Sequence, residues 1–172
     1  MRIISADMKT EIRAMAASDW GDLRSIYLAG IATGHATLET EPPTWKDWNQ
    51  AHLPAPRLVA VADETIVGWA ALGPVSARAV YAGVAEVSVY VAAEMRGQGV
   101  GLLLLKSLIH QSENNGIWTL QAGIFPENSA SISLHKSCGF REVGRRERIA
   151  KMNGVWRDTL LFERRSTLAG AD

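Results

Sequence analysis

The chain is 172 residues long, and its 18 basic residues balance 18 acidic ones. That balance gives no support to a nucleic-acid-binding or membrane-surface protein, and the length suits one domain with a full core better than two. The hydrophobic share of 47% is that of an ordinary globular protein, with no apolar run near the length of a bilayer span. Cys138 is the one cysteine and has no internal disulfide partner, and residues 1–9 contain no apolar signal segment. A reducing cytoplasm is therefore the expected compartment.

Residues 1–9 read as a flexible leader, 10–165 as the folded domain and 166–172 as a polar tail. A first strand covers 11–14. Ser18 or Asp19 then caps a helix that carries Leu23, Ile26, Tyr27 and Ile31 on one face, and Gly34 ends it. Residues 35–43 make a polar loop that finishes in two prolines. Thr44 caps a short second helix with Asp47 at its third position; Trp45 and Trp48 supply its apolar side and could cover a pocket mouth or a subunit contact. Strands over 58–62 and 66–72 form a hairpin around Asp63-Glu64-Thr65, and Gly73-Pro74 closes the second. Residues 76–83 connect to the central strand, where Val87, Val89 and Val91 alternate with Glu86, Ser88 and Tyr90 in the period of a strand with two different faces.

Gly97, Gly99 and Gly101 follow, removing side chains where the backbone turns and a ligand can come close. The run from Val100 through Leu102, Leu105, Leu108 and Ile109 has the length of a helix ending near Asn114. Its first turn presents unpaired N–H groups and the positive end of the dipole, an anion site suited to phosphate. The spacing is not that of a P-loop, because no Lys-Ser or Lys-Thr follows Gly101, nor that of a dinucleotide fingerprint, whose third glycine would come one residue later. A strand over 118–125 comes next, with Trp118, like Trp69 earlier, fitted to the interior. Asn128 caps a helix over 129–137, and strands over 140–151 and 156–163 pair antiparallel around Asn153-Gly154. The fold class is α/β: a single domain with a mixed, mainly antiparallel twisted sheet flanked by helices.

Arg96-x-x-Gly99-x-Gly101 after a valine-rich strand resembles the acetyl-CoA pyrophosphate loop of the GCN5-related N-acetyltransferases (GNAT), and the order of elements is the one expected of the GNAT acyl-CoA N-acyltransferase fold. Asn128-x-x-Ser131-x-x-x-His135-x-x-x-Gly139-Phe140 is similar to a second signature of that superfamily, in which many members carry tyrosine where His135 stands. Within it, Leu38-Glu39-Thr40-Glu41-Pro42-Pro43-Thr44, Gly73-Pro74 with Ala77-Arg78 and Tyr81, Ala85 to Val91, and Gly154-Val155-Trp156-Arg157-Asp158 look like the phosphinothricin and methionine sulfoximine acetyltransferase branch. Two features depart from that branch: leucine at position 38, where an aromatic is frequent, and a last hairpin one residue longer before Trp156.

The resemblance implies acetyl-CoA as co-substrate, a homodimer, and direct acetyl transfer to the α-amine of a small amino acid or analogue such as phosphinothricin, methionine sulfoximine or methionine sulfone. It implies cofactor contacts from Val89, Tyr90, Val91, Arg96, Gly97, Gln98, Gly99, Val100, Gly101, Asn128 and Ser131. An amine attacks a thioester only when neutral, and an α-amine is mostly protonated at neutral pH, so a base is needed. Glu86 is at the family's base position and, read as a residue alone, is either that base or a polar group on an open sheet face. His135 either donates a proton, orients substrate or is a satisfied structural histidine. Arg78 matches the substrate arginine of the branch, whose planar fork binds a carboxylate bidentately, or is a solvated loop charge. Tyr81, Leu38, Glu39 and Thr40 would line the substrate pocket, which Trp156 and Asp158 would close from the last hairpin unless they are core and edge residues. His35, His52 and His110 lack ligand spacing, so no metal site is expected. The rival readings are acetylation of protein N-termini or polyamines, a non-catalytic acyl-CoA-binding module, and a phosphate-binding regulatory domain.

Overall fold

The structure is a computed structural model that describes residues 9–171. The expected leader lies outside the described residues except for Lys9, which pairs with Glu11 at 3.1 Å. In chain order the elements are β1 (Thr10–Ala14), α1 (Trp20–Ala32), α2 (Trp45–Ala51), β2 (Arg57–Ala62), β3 (Thr65–Pro74), β4 (Val84–Val91), α3 (Val100–Asn114), β5 (Thr119–Ile124), α4 (Ser129–Ser137), β6 (Arg141–Met152) and β7 (Val155–Arg165). They form one seven-stranded sheet in the order β1-β2-β3-β4-β5-β7-β6. Every pairing is antiparallel except β4 with β5. This is the expected α/β architecture.

Local chemistry sets the boundaries. Thr44 caps α2 as expected: its hydroxyl accepts the Asp47 N–H at 3.2 Å and donates to the Asp47 carboxylate at 2.6 Å. Asp63 and Glu64 at φ 47° and 64°, and Asn153 and Gly154 at φ 48° and 81°, have the left-handed pairs that tight two-residue hairpins require. Asp19 departs from its expected role. No side-chain cap bond is made at the start of α1; the carboxylate instead accepts the Ala16 N–H at 2.7 Å and the Arg13 guanidinium at 2.7 and 3.0 Å, tying β1 to the turn before α1.

The two faces of the sheet are covered separately. A Cβ on Gly68 would sit 2.9 Å from Leu104, so this face of β3 is pressed against α3, whose Leu104, Leu105 and Leu108 are fully buried. Trp69, next in sequence, points the other way and packs beside Tyr27 of α1 (centroids 5.8 Å apart) and flat on Tyr90 of β4 (4.7 Å). Trp48 joins this aromatic core edge-on to Trp69 and is buried, so it covers neither a pocket mouth nor a subunit contact. Trp118 lies just before β5, over Gly83, where no side chain would fit. The tail does not trail away: Ser166 is buried, donates to Glu113 at 2.8 Å and accepts the Leu168 and Ala169 amides at 3.0 Å. No helix among the described residues is long and apolar enough to cross a membrane.

Candidate active site

The site begins where the sheet splits. β4 and β5 pair only through Val84, Ala85 and Glu86 against Thr119, Leu120 and Gln121; beyond Glu86 they diverge. The Ala92 N–H donates to Val67 at 2.9 Å. With the uninterrupted β3–β4 register, this fixes the parity of the strand. Ser88 and Tyr90 turn their amides toward β3, while Val89 and Val91 turn theirs into the gap. The splayed edge thus offers free backbone donors and acceptors along one wall of a cleft of about 1200 Å³.

The glycine loop closes the end of that wall. Gly97 and Gly99 lie in the left-handed region at φ 75° and 84°, with Gly99 in the cap position of α3, and a Cβ at either would meet no atom within 4 Å. The amides of Gly97 through Leu102 donate to no protein group among the described residues; the first helical bond runs from Leu103 to Gly99, at 3.0 Å. A row of orphan donors at the N-terminus of a 15-residue helix fits the phosphates that acetyl-CoA carries. Arg96 lines the same end, its Nε donating to the Val91 carbonyl at 3.3 Å.

Other residues singled out in the sequence converge here. Asn128 caps α4 by accepting the Ser131 N–H at 3.1 Å, and its amide nitrogen donates to the His35 carbonyl at 3.1 Å. His135 is buried. Its Nδ1 is 2.8 Å from the Ser131 carbonyl and so carries the proton, while Nε2 has no partner among the described residues. Burial pulls its pKa below the ordinary histidine value, with the Ser131 bond working the other way, so the ring is neutral near pH 7 and presents an acceptor at Nε2. Glu86 lies on the cleft floor, open to water from one side but walled by protein on the others. That partial desolvation raises its carboxyl pKa, and the positive charge of Arg146 takes back part of the shift. Tyr90 is held well above the ordinary tyrosine value, first by burial, and stays a neutral phenol.

Leu38 and Glu39 line the opposite wall, whereas Thr40, Arg78, Tyr81 and Trp156 do not line the cleft. Arg78 lies over the Tyr81 ring at 5.5 Å on the exposed connection before β4, and Trp156 is half exposed under Lys151 near the tip of the last hairpin. Gln98 is turned back on the loop, donating to the Glu94 carbonyl at 2.8 Å.

Sequence reasoning missed three contributors. Arg146 and Thr159, opposite each other on β6 and β7, face the cleft. Arg157 donates to the Gly34 carbonyl at 2.9 Å and approaches His35 Nδ1 at 3.0 Å, while its guanidinium lies 4.0 Å from the Phe125 ring. It clamps the loop after α1 against the end of β5. A charged, alternating strand gives no short-range sign of such contacts.

A splayed parallel strand pair, a phosphate-ready helix start and a carboxylate of raised pKa on the cleft floor are the marks of an acyl-CoA-dependent transferase. The chain belongs to the acetyltransferase (GNAT) family, whose pattern it matches over residues 17–140. It is 32% identical to the phosphinothricin N-acetyltransferase of Alcaligenes faecalis, covering 89% of this chain and 81% of that one. It is 30% identical to the L-methionine sulfoximine/L-methionine sulfone acetyltransferase of Pseudomonas aeruginosa, over 91% and 94% of the two chains. Its fold superposes on a phosphinothricin acetyltransferase of Sinorhizobium meliloti solved with acetyl-CoA, with a TM-score of 0.85, 26% identity and coverage of 96% and 92%.

Proposed function

We propose that this acetyltransferase transfers the acetyl group of acetyl-CoA directly to the α-amine of a small amino acid or analogue, with phosphinothricin, methionine sulfoximine and methionine sulfone as the first candidates. The observation that carries the reading is the placement of Glu86: a carboxylate with a raised pKa, on the floor of a cleft that runs to the orphan amides of Gly97 through Leu102. Acetyl-CoA would supply an electrophilic thioester. Val89 and Val91 would hold its carbonyl-bearing arm by strand-like hydrogen bonds, and the glycine loop with Arg96 would hold its phosphates.

Glu86 receives one proton of the incoming ammonium, directly or through one water, and returns it to solvent along the open side of the cleft; the neutral amine then forms the C–N bond, and as the C–S bond breaks a second nitrogen proton passes to the departing thiolate, directly or through water, to give the CoA thiol. A raised pKa narrows the gap between this carboxylate and an α-amine and makes the transfer less uphill. Leu38 and Glu39 shape the substrate wall. His135 holds the first turn of α4 through Ser131; with its proton on Nδ1 and its basicity lowered, it is not poised to protonate a leaving thiolate. The exposed apolar side chains Val143, Ile149, Val155 and Trp156 on the last hairpin, with Val80 and Tyr81 before β4, support a homodimer.

The test is release of CoA thiol from acetyl-CoA against phosphinothricin, methionine sulfoximine, methionine sulfone, the common amino acids, spermidine and a short peptide. Turnover concentrated in amino-acid analogues is the expected result. Turnover with only spermidine or peptide would leave acetyl transfer in place and discard the amino-acid pocket.

A further inference from the structure

The split between β4 and β5 is closed at one end by their three residue pairs and bridged at the other by the chain that leaves α1. Tyr90 lies four residues beyond Glu86 on β4, and Phe125 four residues beyond Gln121. Both therefore mark the open end, about 13 Å from the last pair. α1 rests on the first side of the split: a Cβ on Gly30 would meet the Tyr90 ring at 2.9 Å. One turn later Gly34, left-handed at φ 74°, turns the chain out of the helix.

The second side of the split receives it there. Arg157 of β7 donates to the Gly34 carbonyl at 2.9 Å and to His35 Nδ1 at 3.0 Å, and Asn128, at the cap of α4, donates to the His35 carbonyl at 3.1 Å. An arginine only donates, so the His35 imidazole is the acceptor in that contact. The guanidinium also lies 4.0 Å from the centroid of the Phe125 ring and 3.6 Å from the Glu127 carboxylate. Arg157 itself does not line the cleft, whereas His35, Leu38 and Glu39 do. Leu38 and Glu39 follow the strapped residue by three and four positions. A loop anchored in advance loses less freedom when a ligand settles on it than one the ligand must order. The cofactor wall does not depend on this strap. Val89 and Val91 are on β4, the glycine loop leads into α3, and Asn128 accepts the Ser131 N–H without help from Arg157.

We propose that Arg157 is a positioning residue for the acceptor: it straps the loop after α1 across the open end of the split and so holds Leu38 and Glu39 in place before the amine arrives. The assignment rests on the acetyl-transfer reading above and on no particular amine.

The experiment measures kcat and KM for both substrates, with the best acceptor of the amine panel, in the wild type, Arg157→Ala, Arg157→Lys, His35→Ala and the variant with both alanines. Tm with and without acetyl-CoA is read for each. Arg157→Ala should raise KM for the amine about 10-fold and leave KM for acetyl-CoA within about twofold of the wild type. Arg157→Lys should recover part of the loss, because an ammonium can reach the Gly34 carbonyl but lacks the planar fork that serves Gly34 and His35 together. His35→Ala removes only the imidazole acceptor and should cost less than Arg157→Ala, and the double variant should be little worse than Arg157→Ala alone. A lower Tm with KM for the amine unmoved, or the two KM values raised together, overturns the positioning role and leaves acetyl transfer standing. Wild-type protein that is protected by acetyl-CoA but acetylates no amine of the panel overturns both.

Discussion

Two groups that resemble each other in sequence terms, a lone acid on a strand and a lone histidine on a helix, end up with different chemistry because of what surrounds them. Glu86 is the last residue of β4 paired with β5, and its carboxyl lies on the floor of the cleft that opens where the strands part. Burial raises its pKa and Arg146 restrains the rise. The working form of a base is the carboxylate, so kcat should fall as pH drops through this raised pKa, at a pH above the ordinary range of glutamate near 4.3. Glu86→Gln should lower kcat by about 100-fold or more and abolish that acid limb, since glutamine accepts no proton in this range. A pH–kcat profile of both proteins with saturating acetyl-CoA is the measurement; an acid limb that survives in Glu86→Gln would assign it to another group. His135 has its Nδ1 proton committed to Ser131, which makes it an acceptor in a dry pocket and leaves it no evident part in that limb.

At the scale of elements, the glycine loop has a sharper requirement than its composition suggests. Gly99 is left-handed at the cap of α3, whereas Gly101 is inside the helix with Leu134 at 3.4 Å and Val91 at 3.6 Å from where a Cβ would stand. Alanine at position 99 has open space but a strained backbone, costing about 1–2 kcal/mol if the φ is kept. Relaxing that strain would rotate the amides proposed to hold the phosphates. Gly99→Ala should therefore raise KM for acetyl-CoA about tenfold while leaving KM for the amine nearly unchanged, measured by varying each substrate in turn; equal changes in both would place the loop's role outside cofactor binding. This loop, the Asn128 cap and both tight hairpins were legible in the sequence because each is specified by residues a few positions apart. The clamp from Arg157 to Gly34, which joins positions more than a hundred residues apart, and the bulge in β6 after Arg146, which depends on a register shift, were not, because no local pattern encodes either. Arg78 is a different case: the motif match puts it at the substrate, whereas it stands on the exposed connection before β4, over Tyr81 and outside the residues that line the cleft.

For the whole molecule, the cleft exists because one sheet is asked to do two incompatible things. β1 to β4 are packed between α1 on one face and α3 on the other, through Trp69 and Leu104, and cannot open. β5, β7 and β6 form a second antiparallel unit, joined to the first within the sheet by three residue pairs. Acetyl-CoA bound in that gap would bridge the two units, so its binding energy should appear as global stability and not only as local order. At about 100 times Kd a ligand specific for the native state adds about 2.7 kcal/mol, which for a domain of this length corresponds to a Tm rise of about 5–11 °C. ATP, which has phosphates but no pantetheine to lie along Val89 and Val91, should give much less. Amide hydrogen exchange would show where the effect arises: Val89, Val91 and Gly97 through Leu102 should slow on addition of acetyl-CoA, since they are the donors without partners in the protein alone. Equal protection by ATP, with slowing confined to the glycine loop, would identify the cleft as a phosphate site and remove the splayed strand from cofactor binding.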